Sequence, residues 1–336
     1  MRIVRTDREL ECPRIDATLR AEGHDLTLLP EGVPEDALAE AVADADLILM
    51  CYTPVTARVI AAAPALRGIV KYGVGIDAID IPAASARGIP VVNIPEYAET
   101  TVAEGAFALL IALTRKLAPL HRAMRADGWA WPEPSWLGTD IAGKTLGLIG
   151  VGRIGRAMAR MAGAGFGARV LGCNPGMDAA TLRAAGVEPR DDLHSMLGEC
   201  DFVSIHCTLN DTTRGLIGAA ELAAMRPGAI LINVSRGAII DEAALLAALR
   251  SGHLGGAGLD VFAREPLNRA DDPLTPLFDM DNVLLTPHLT FYTAEAMERL
   301  ETETLERCRE LIEGRPVTVK SNDPRLRAQS NGIRFA

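Results

Sequence analysis

No stretch of this 336-residue chain approaches the ~18 consecutive apolar residues of a membrane-spanning helix; the run Ala106 to Leu113 is typical of the longest. The first residues, Met1-Arg2-Ile3-Val4-Arg5-Thr6-Asp7, lack the long apolar stretch of a secretory leader. Cysteine is sparse: Cys12, Cys51, Cys173, Cys200, Cys207 and Cys308 are scattered, with no C-x-x-C pair and no zinc-ligand spacing. They are expected to be reduced thiols, the chain cytoplasmic, and no metal is expected. Repeats at solenoid spacing and low-complexity tracts are absent. Basic residues are outnumbered, with 34 Lys and Arg against 44 Asp and Glu, a net charge of −10. An acidic chain gains nothing from phosphate-backbone attraction, so neither nucleic acid nor an anionic membrane is expected as a partner.

What is present suits a globular α/β protein. Apolar residues make up 49% of the chain and charged residues 23%, and the length suits about two domains at ~150 residues each. Short β-branched runs alternate with Ala- and Leu-rich helical stretches. Strands are expected at Leu26–Leu29, Leu47–Met50, Gly68–Val70 and Ile89–Val92. A second series is expected at Leu146–Ile149, Arg169–Cys173, Phe202–Ile205, Ala229–Asn233 and Gly255–Leu259. Helices are expected at 35–43, 56–62, 79–87, 154–164, 242–250 and 293–313. Strand-helix alternation of this kind builds parallel sheets with helices on both faces.

Between the two series, Thr101 followed by Glu104 has capping-box spacing and opens a helical stretch reaching Arg125. Its apolar residues fall on more than one face, which fits either an ordinary core helix or one that also forms a subunit interface. All three tryptophans follow within eight residues, Trp129, Trp131 and Trp136, in an arm too rich in proline for a helix.

The strongest local signal is Gly150-Val151-Gly152-Arg153-Ile154-Gly155, a G-x-G-x-x-G pattern after an apolar strand and before a helix. Gly150 permits the tight turn, Gly152 lets backbone approach a pyrophosphate, and Gly155 lets helix pack on strand. The helix N-terminus then faces the phosphates. The residue expected to hold the adenosine ribose closes the next strand. Here it is Asn174 rather than an acid, which can still hydrogen-bond a ribose hydroxyl but cannot repel a 2′-phosphate by charge. NAD is the expected cofactor, with NADP possible.

Three further segments close strands, where open α/β sheets place their ligands: Asn233 to Gly237, Asp260 to Pro266, and Thr286 to His288. Singly, Arg236, Glu265 and His288 are a surface cation, a turn residue and a loop histidine. Jointly they are the groups that 2-keto-acid reduction needs. A guanidinium binds a planar carboxylate bidentately, an imidazolium delivers a proton to the ketone oxygen, and a carboxylate fixes the imidazole's tautomer and favours its protonated form.

On these motifs, together with Lys71-Tyr72-Gly73-Val74-Gly75-Ile76-Asp77 and Pro287-His288, nearly the whole chain resembles the D-isomer-specific 2-hydroxyacid dehydrogenases. The resemblance implies a fold of two doubly wound parallel-sheet lobes. A flavodoxin-like substrate lobe would comprise 1–98 plus 290–336. A Rossmann cofactor lobe would comprise 99–289 and carry a dimerisation helix and arm at about 101–140, so that the protein is a homodimer. It also implies catalytic roles for Arg236, Glu265 and His288, and a share of the substrate carboxylate for the Val74-Gly75 backbone. The cofactor set it implies is Gly150, Gly152, Arg153, Ile154, Gly155, Asn174, His206, Val234, Ser235 and Asp260, the last at the nicotinamide end. Thr101 would sit beside the nicotinamide or act only as a helix cap. Tyr52 and Tyr97 would line the substrate pocket or simply pack.

The sequence departs from the family at Asn174, at His206-Cys207-Thr208-Leu209 where a His-x-Pro-Leu pattern is usual, and after His288. There Leu289-Thr290-Phe291 replaces Ile-Gly-Gly, as in the D-lactate dehydrogenase and C-terminal-binding-protein branches. The expected activity is hydride transfer between the cofactor and a small D-2-hydroxy acid or 2-keto acid, such as glyoxylate, hydroxypyruvate or pyruvate. The alternatives are a 3-phosphoglycerate enzyme, for which only Lys71 offers a nearby cation, and a dinucleotide-sensing protein of the corepressor type.

Overall fold

Leu47, Ile48, Leu49 and Met50 are completely buried, a run apolar on both faces that forms a central parallel strand rather than a half-exposed one. Each such side chain contributes ~1.5–3 kcal/mol on burial. The computed structural model describes all 336 residues, which fall into two compact units, Met1–Ala98 with Tyr292–Ala336, and Glu99–Phe291.

In the first unit, β1 (Arg2–Arg5), β2 (Asp25–Leu28), β3 (Leu47–Met50), β4 (Gly68–Lys71) and β5 (Val91–Asn93) form an all-parallel sheet in the order β2-β1-β3-β4-β5. This is a doubly wound sheet of flavodoxin-like order. Strand β1 and the helix Pro13–Ala21 were not among the expected elements. Two of the four residues of β1 are arginines, yet Arg5 is buried and forms a paired ion bridge to Asp16, Nε to Oδ1 and Nη2 to Oδ2, both 2.9 Å.

The helix Ala294–Ile312 belongs to this unit. Thr293 caps it by accepting from Ala296 N–H, and Ala296, Leu300, Leu305, Cys308 and Leu311 form its buried stripe. Beyond it, Gln329 accepts from Val91 N–H at 2.7 Å and donates to Val91 C=O at 2.9 Å. The tail thus satisfies the open edge of β5.

In the second unit, the sheet contains β6 (Thr145–Ile149), β7 (Arg169–Cys173), β8 (Glu188–Pro189), β9 (Phe202–Ile205), β10 (Ile230–Asn233), β11 (Gly256–Leu259) and β12 (Val283–Leu285). All are parallel, in the order β12-β11-β10-β9-β6-β7-β8. This is the Rossmann arrangement, and its direction of winding reverses between β6 and β9.

Two boundaries differ from the sequence expectation. The second unit extends to Phe291 rather than 289, because Thr290 N–H and Oγ1 both bond Asp260. The stretch expected as one helix from Thr101 to Arg125 is two, Glu99–Thr114 and Leu117–Asp127, separated by Lys116 at φ +51°. The Thr114 carbonyl accepts from Thr139 N–H at 2.8 Å instead of continuing the helix. Thr101 is therefore not a cap. It is a buried residue of the first turn, and Glu99 supplies the acidic start that a helix dipole favours. The over-apolar first helix packs on β10, β11, β12 and the helix Arg153–Arg160 of its own unit, which accounts for its composition. The exposed apolar residues lie further on: Leu117, Met124, Trp129, Trp131 and Leu137. No helix is long and apolar enough to cross a membrane.

Candidate active site

Two positions of the turn after β6, Gly150 and Gly155, have room for glycine only. Gly150 sits at φ +91°, and a Cβ there would fall 2.5 Å from the Cys207 backbone nitrogen. A Cβ on Gly155 would fall 2.4 Å from the Gly150 carbonyl oxygen. At Gly152, the residue capping the helix Arg153–Arg160, a Cβ would meet nothing within 4 Å. A close-packed turn with open space before a helix N-terminus is the cradle a pyrophosphate requires.

Arg153, half-buried at the first position of that helix, holds Glu99 with Nε 3.0 Å from Oε1, and Ile154 is half-buried beside it. Asn174 closes β7 and accepts from Val151 N–H at 2.8 Å, so this side chain fixes the glycine turn. His206 closes β9. Its Nε2 lies 2.9 Å from Ser204 Oγ, and its Nδ1 is buried without a partner. Burial pushes the His206 imidazole down to about 4, so it is neutral at ordinary pH. These residues fit a dinucleotide: a glycine cradle, open space, and an orphaned ring nitrogen at the switch point of the sheet.

The turn after β10 is held from within. Asn233 is fully buried, accepts from Ser235 N–H and donates to the Arg236 carbonyl, both at 3.0 Å. Val234 is buried and Ser235 half-buried. Ser235 Oγ donates to the Cys207 carbonyl, tying this turn to the one after β9. Arg236 follows, half-buried, with Nη1 on the Ser235 carbonyl at 2.8 Å. The next residue, Gly237, has no room for a side chain: a Cβ would overlap the Phe262 carbonyl carbon at 1.9 Å. The Arg236 turn therefore lies directly against the segment that carries Glu265.

After β11, Asp260 is completely buried. Its Oδ1 accepts from Thr286 Oγ1 and Leu289 N–H, and its Oδ2 from Thr290 N–H and Oγ1, at 2.6–3.1 Å. Asp260, expected at the nicotinamide end, has both oxygens engaged in clamping the loop after β12. That loop places His288 at φ +57°, a conformation few non-glycine residues adopt and one that must be held by surroundings. The His288 N–H donates to the Asp260 carbonyl at 2.8 Å.

His288 Nδ1 then meets Glu265 Oε2 at 2.8 Å, and Glu265 Oε1 accepts from Phe262 N–H at 2.7 Å. Burial pushes the Glu265 carboxyl up. The His288 hydrogen bond and charge, the Phe262 N–H and the charge of Arg236 together outweigh this and hold it below its ordinary value. Arg236, Glu265 and His288 are thus one electrostatic group, on the same sheet edge as the glycine turn. Sequence reading missed Glu242, which receives Ala263 N–H at 2.7 Å and supports the Glu265 segment from the adjacent helix.

The first unit also gathers polar groups at its strand ends. Asp7, at φ +55°, accepts from the N–H groups of Cys51, Tyr52 and Thr53 and from the hydroxyls of Thr6 and Thr53. Lys71 is buried. Its Nζ donates to the Cys51 carbonyl, lies 3.2 Å from Cys51 Sγ, and sits 5.4 Å from the centre of the Tyr52 ring. Val74 is exposed next to Gly75, and the Val74 carbonyl accepts from Asn93 Nδ2 at 2.6 Å. Tyr52 is half-buried, whereas Tyr97 is buried and its carbonyl accepts from Arg299 at 2.7 Å.

Comparison with known proteins agrees with this geometry. A family profile described as "D-isomer specific 2-hydroxyacid dehydrogenase, NAD binding domain" matches residues 107–290. The chain belongs to the D-isomer-specific 2-hydroxyacid dehydrogenase family. Among its relatives in this family, a glyoxylate reductase of Korarchaeum cryptofilum is 39% identical over 86% of this chain and 87% of its own length. A D-3-phosphoglycerate dehydrogenase of Mycobacterium leprae is 42% identical over 84% of this chain, which spans only 52% of that relative. The structure of an Aquifex aeolicus D-lactate dehydrogenase complexed with NAD and lactic acid superimposes with a TM-score of 0.83. It is 28% identical and covers 93% of this chain and 96% of its own.

Proposed function

We propose that this D-2-hydroxyacid dehydrogenase reduces a small, unphosphorylated 2-keto acid to the D-2-hydroxy acid with NADH, and catalyses the reverse with NAD. The observation that carries this reading is the 2.8 Å bond between His288 Nδ1 and Glu265, on a carboxylate that also feels Arg236. Gly150, Gly152, Arg153, Ile154 and Gly155 would hold the pyrophosphate. Asn174 would lie at the ribose, His206 at the adenine, and Val234 and Ser235 along the nicotinamide half. The bound cofactor would supply or accept the hydride.

Arg236 binds the substrate carboxylate through its guanidinium fork and draws electron density from the keto group. Glu265, ionised, accepts from Nδ1–H of His288, which leaves Nε2 as the position carrying the transferable proton. Nε2–H donates to the keto oxygen during reduction and recovers the hydroxyl proton during oxidation. Tyr97 and Thr101 are packing residues in this account, since both are buried.

Lys71 sets the substrate class. A phosphate requires an available cation, and Lys71 is buried and engaged by Cys51 and the Tyr52 ring. The six cysteines, none of them in a disulfide, fit a reducing cytoplasm. The exposed segment 117–137 is assigned as the surface on which a second copy of the chain docks.

Steady-state turnover with glyoxylate, hydroxypyruvate, pyruvate and 3-phosphohydroxypyruvate tests the reading. The expected result is turnover of about 1–10³ s⁻¹ on one of the first three and a much lower kcat/KM on the phosphorylated acid. Preference for the phosphorylated acid contradicts the substrate class. Tight cofactor binding without turnover of any acid contradicts the enzymatic reading in favour of a dinucleotide sensor.

A further inference from the structure

The family's acidic ribose residue is missing at the end of β7, where Asn174 stands, and the neighbouring strand bears on that loss. In the parallel pairing of β7 with β8, Leu171 lies opposite Glu188 and Gly172 opposite Pro189, and Arg190 N–H donates to the Gly172 carbonyl at 2.8 Å. Carried two residues beyond the end of β8, this register would set Asp191 beside Asn174.

The oxygen of Asn174 already accepts from Val151 N–H, which leaves its amide NH₂ as the hydrogen-bonding group on offer, a donor. A ribose diol also needs an acceptor for its hydroxyl hydrogens. Asp192, next in sequence, is engaged as a helix cap, accepting from Ser195 N–H at 2.7 Å. Asp191 is exposed and in none of the ion pairs of this edge.

The cation that follows β8 is already neutralised: Arg190 bonds Glu199 at 2.7 and 2.9 Å. The carboxylates of Asp192 and Asp191 also bear on the Cys173 thiol, which burial pushes up and these charges push further. Negative charge is therefore present at the end of β7 even though β7 itself carries none.

The geometry points to Asp191 as the ribose-reading, specificity-determining residue, its carboxylate accepting from the adenosine diol and excluding a 2′-phosphate in place of the missing acid at Asn174. The inference rests on the assignment of the second unit as the NAD-binding unit.

Isothermal titration of the full-length protein with NADH and with NADPH tests it, using wild type and Asp191→Asn. Wild type is expected to bind NADH at least about 10-fold more tightly than NADPH. In Asp191→Asn, NADPH binding should tighten about 10-fold while NADH binding weakens slightly. Because the group is exposed, the NADPH difference between the two proteins should shrink from ~50 mM to ~500 mM salt, which a purely structural effect would not do. An unchanged NADPH-to-NADH ratio in the variant, or equal affinities in the wild type, overturns the assignment of Asp191. Failure of wild type to bind either cofactor overturns the NAD-enzyme reading itself.

Discussion

Glu265 is the residue on which the chemistry of the site converges, because one carboxylate receives His288, the Phe262 N–H and the field of Arg236. These influences outweigh the cost of its burial, so its folded-state value lies below the ordinary 4.5. For a carboxylate with a depressed value the ionised form persists as pH falls through 4.5, and its contribution is lost only below that. The acid limb of kcat/KM for reduction that arises from Glu265 is therefore expected below pH 4.5. Glu265→Gln should remove that limb and lower kcat by about 10–100-fold across the remaining range. A wild-type limb above 4.5, or one that survives unchanged in the variant, would show that this carboxylate is not the group being titrated. The residue types at 236, 265 and 288 were legible because each follows a recognisable strand. Asp7 was not: it acts on residues 44 to 46 positions away.

Elements were readable where the pattern was local and apolar. The strands Leu47–Met50, Arg169–Cys173 and Phe202–Ile205 and the helix Glu242–Arg250 stand where the sequence placed them. Strand β1 escaped because its buried arginine reads as polar until Asp16 is brought to it. The segment after Thr114 escaped in another way. Its break depends on the Thr114 carbonyl being taken by Thr139, a partner invisible to helical periodicity. The result is a helix and arm with Leu117, Trp129, Trp131 and Leu137 all at least half exposed, Trp131 at 77% and Leu137 at 74%. An apolar patch of this kind is expected to be covered, here by a second copy. Sedimentation velocity should give a dimer for the wild type. The double variant Trp131→Ala, Leu137→Asp should shift toward the 35.8 kDa monomer with its circular dichroism unchanged. A wild type that sediments as a monomer at micromolar concentration would remove this segment from the account.

At the scale of the whole molecule, two doubly wound parallel sheets arise from one chain because the second unit is inserted between Ala98 and Tyr292 of the first. The return of the chain is legible in the amphipathic stripe of the helix Ala294–Ile312. The Gln329 clamp on β5 is not, because it joins residues 238 positions apart. In the second unit the switch point between β6 and β9 brings the glycine turn and His206 together. The ends of β10, β11 and β12 bring Arg236, Glu265 and His288 to the same sheet edge. The central claim is that His288, held by Glu265 and by the Asp260-clamped loop, moves the proton that accompanies the hydride. The most direct measurement compares wild type with His288→Ala in two ways: the kcat for reduction of the preferred keto acid, and the equilibrium affinity for NADH. A fall of ~10²–10⁴-fold in kcat with NADH affinity unchanged is expected. A variant that keeps more than about a tenth of wild-type kcat would contradict it, since loss of a general acid is expected to cost at least ~10²-fold.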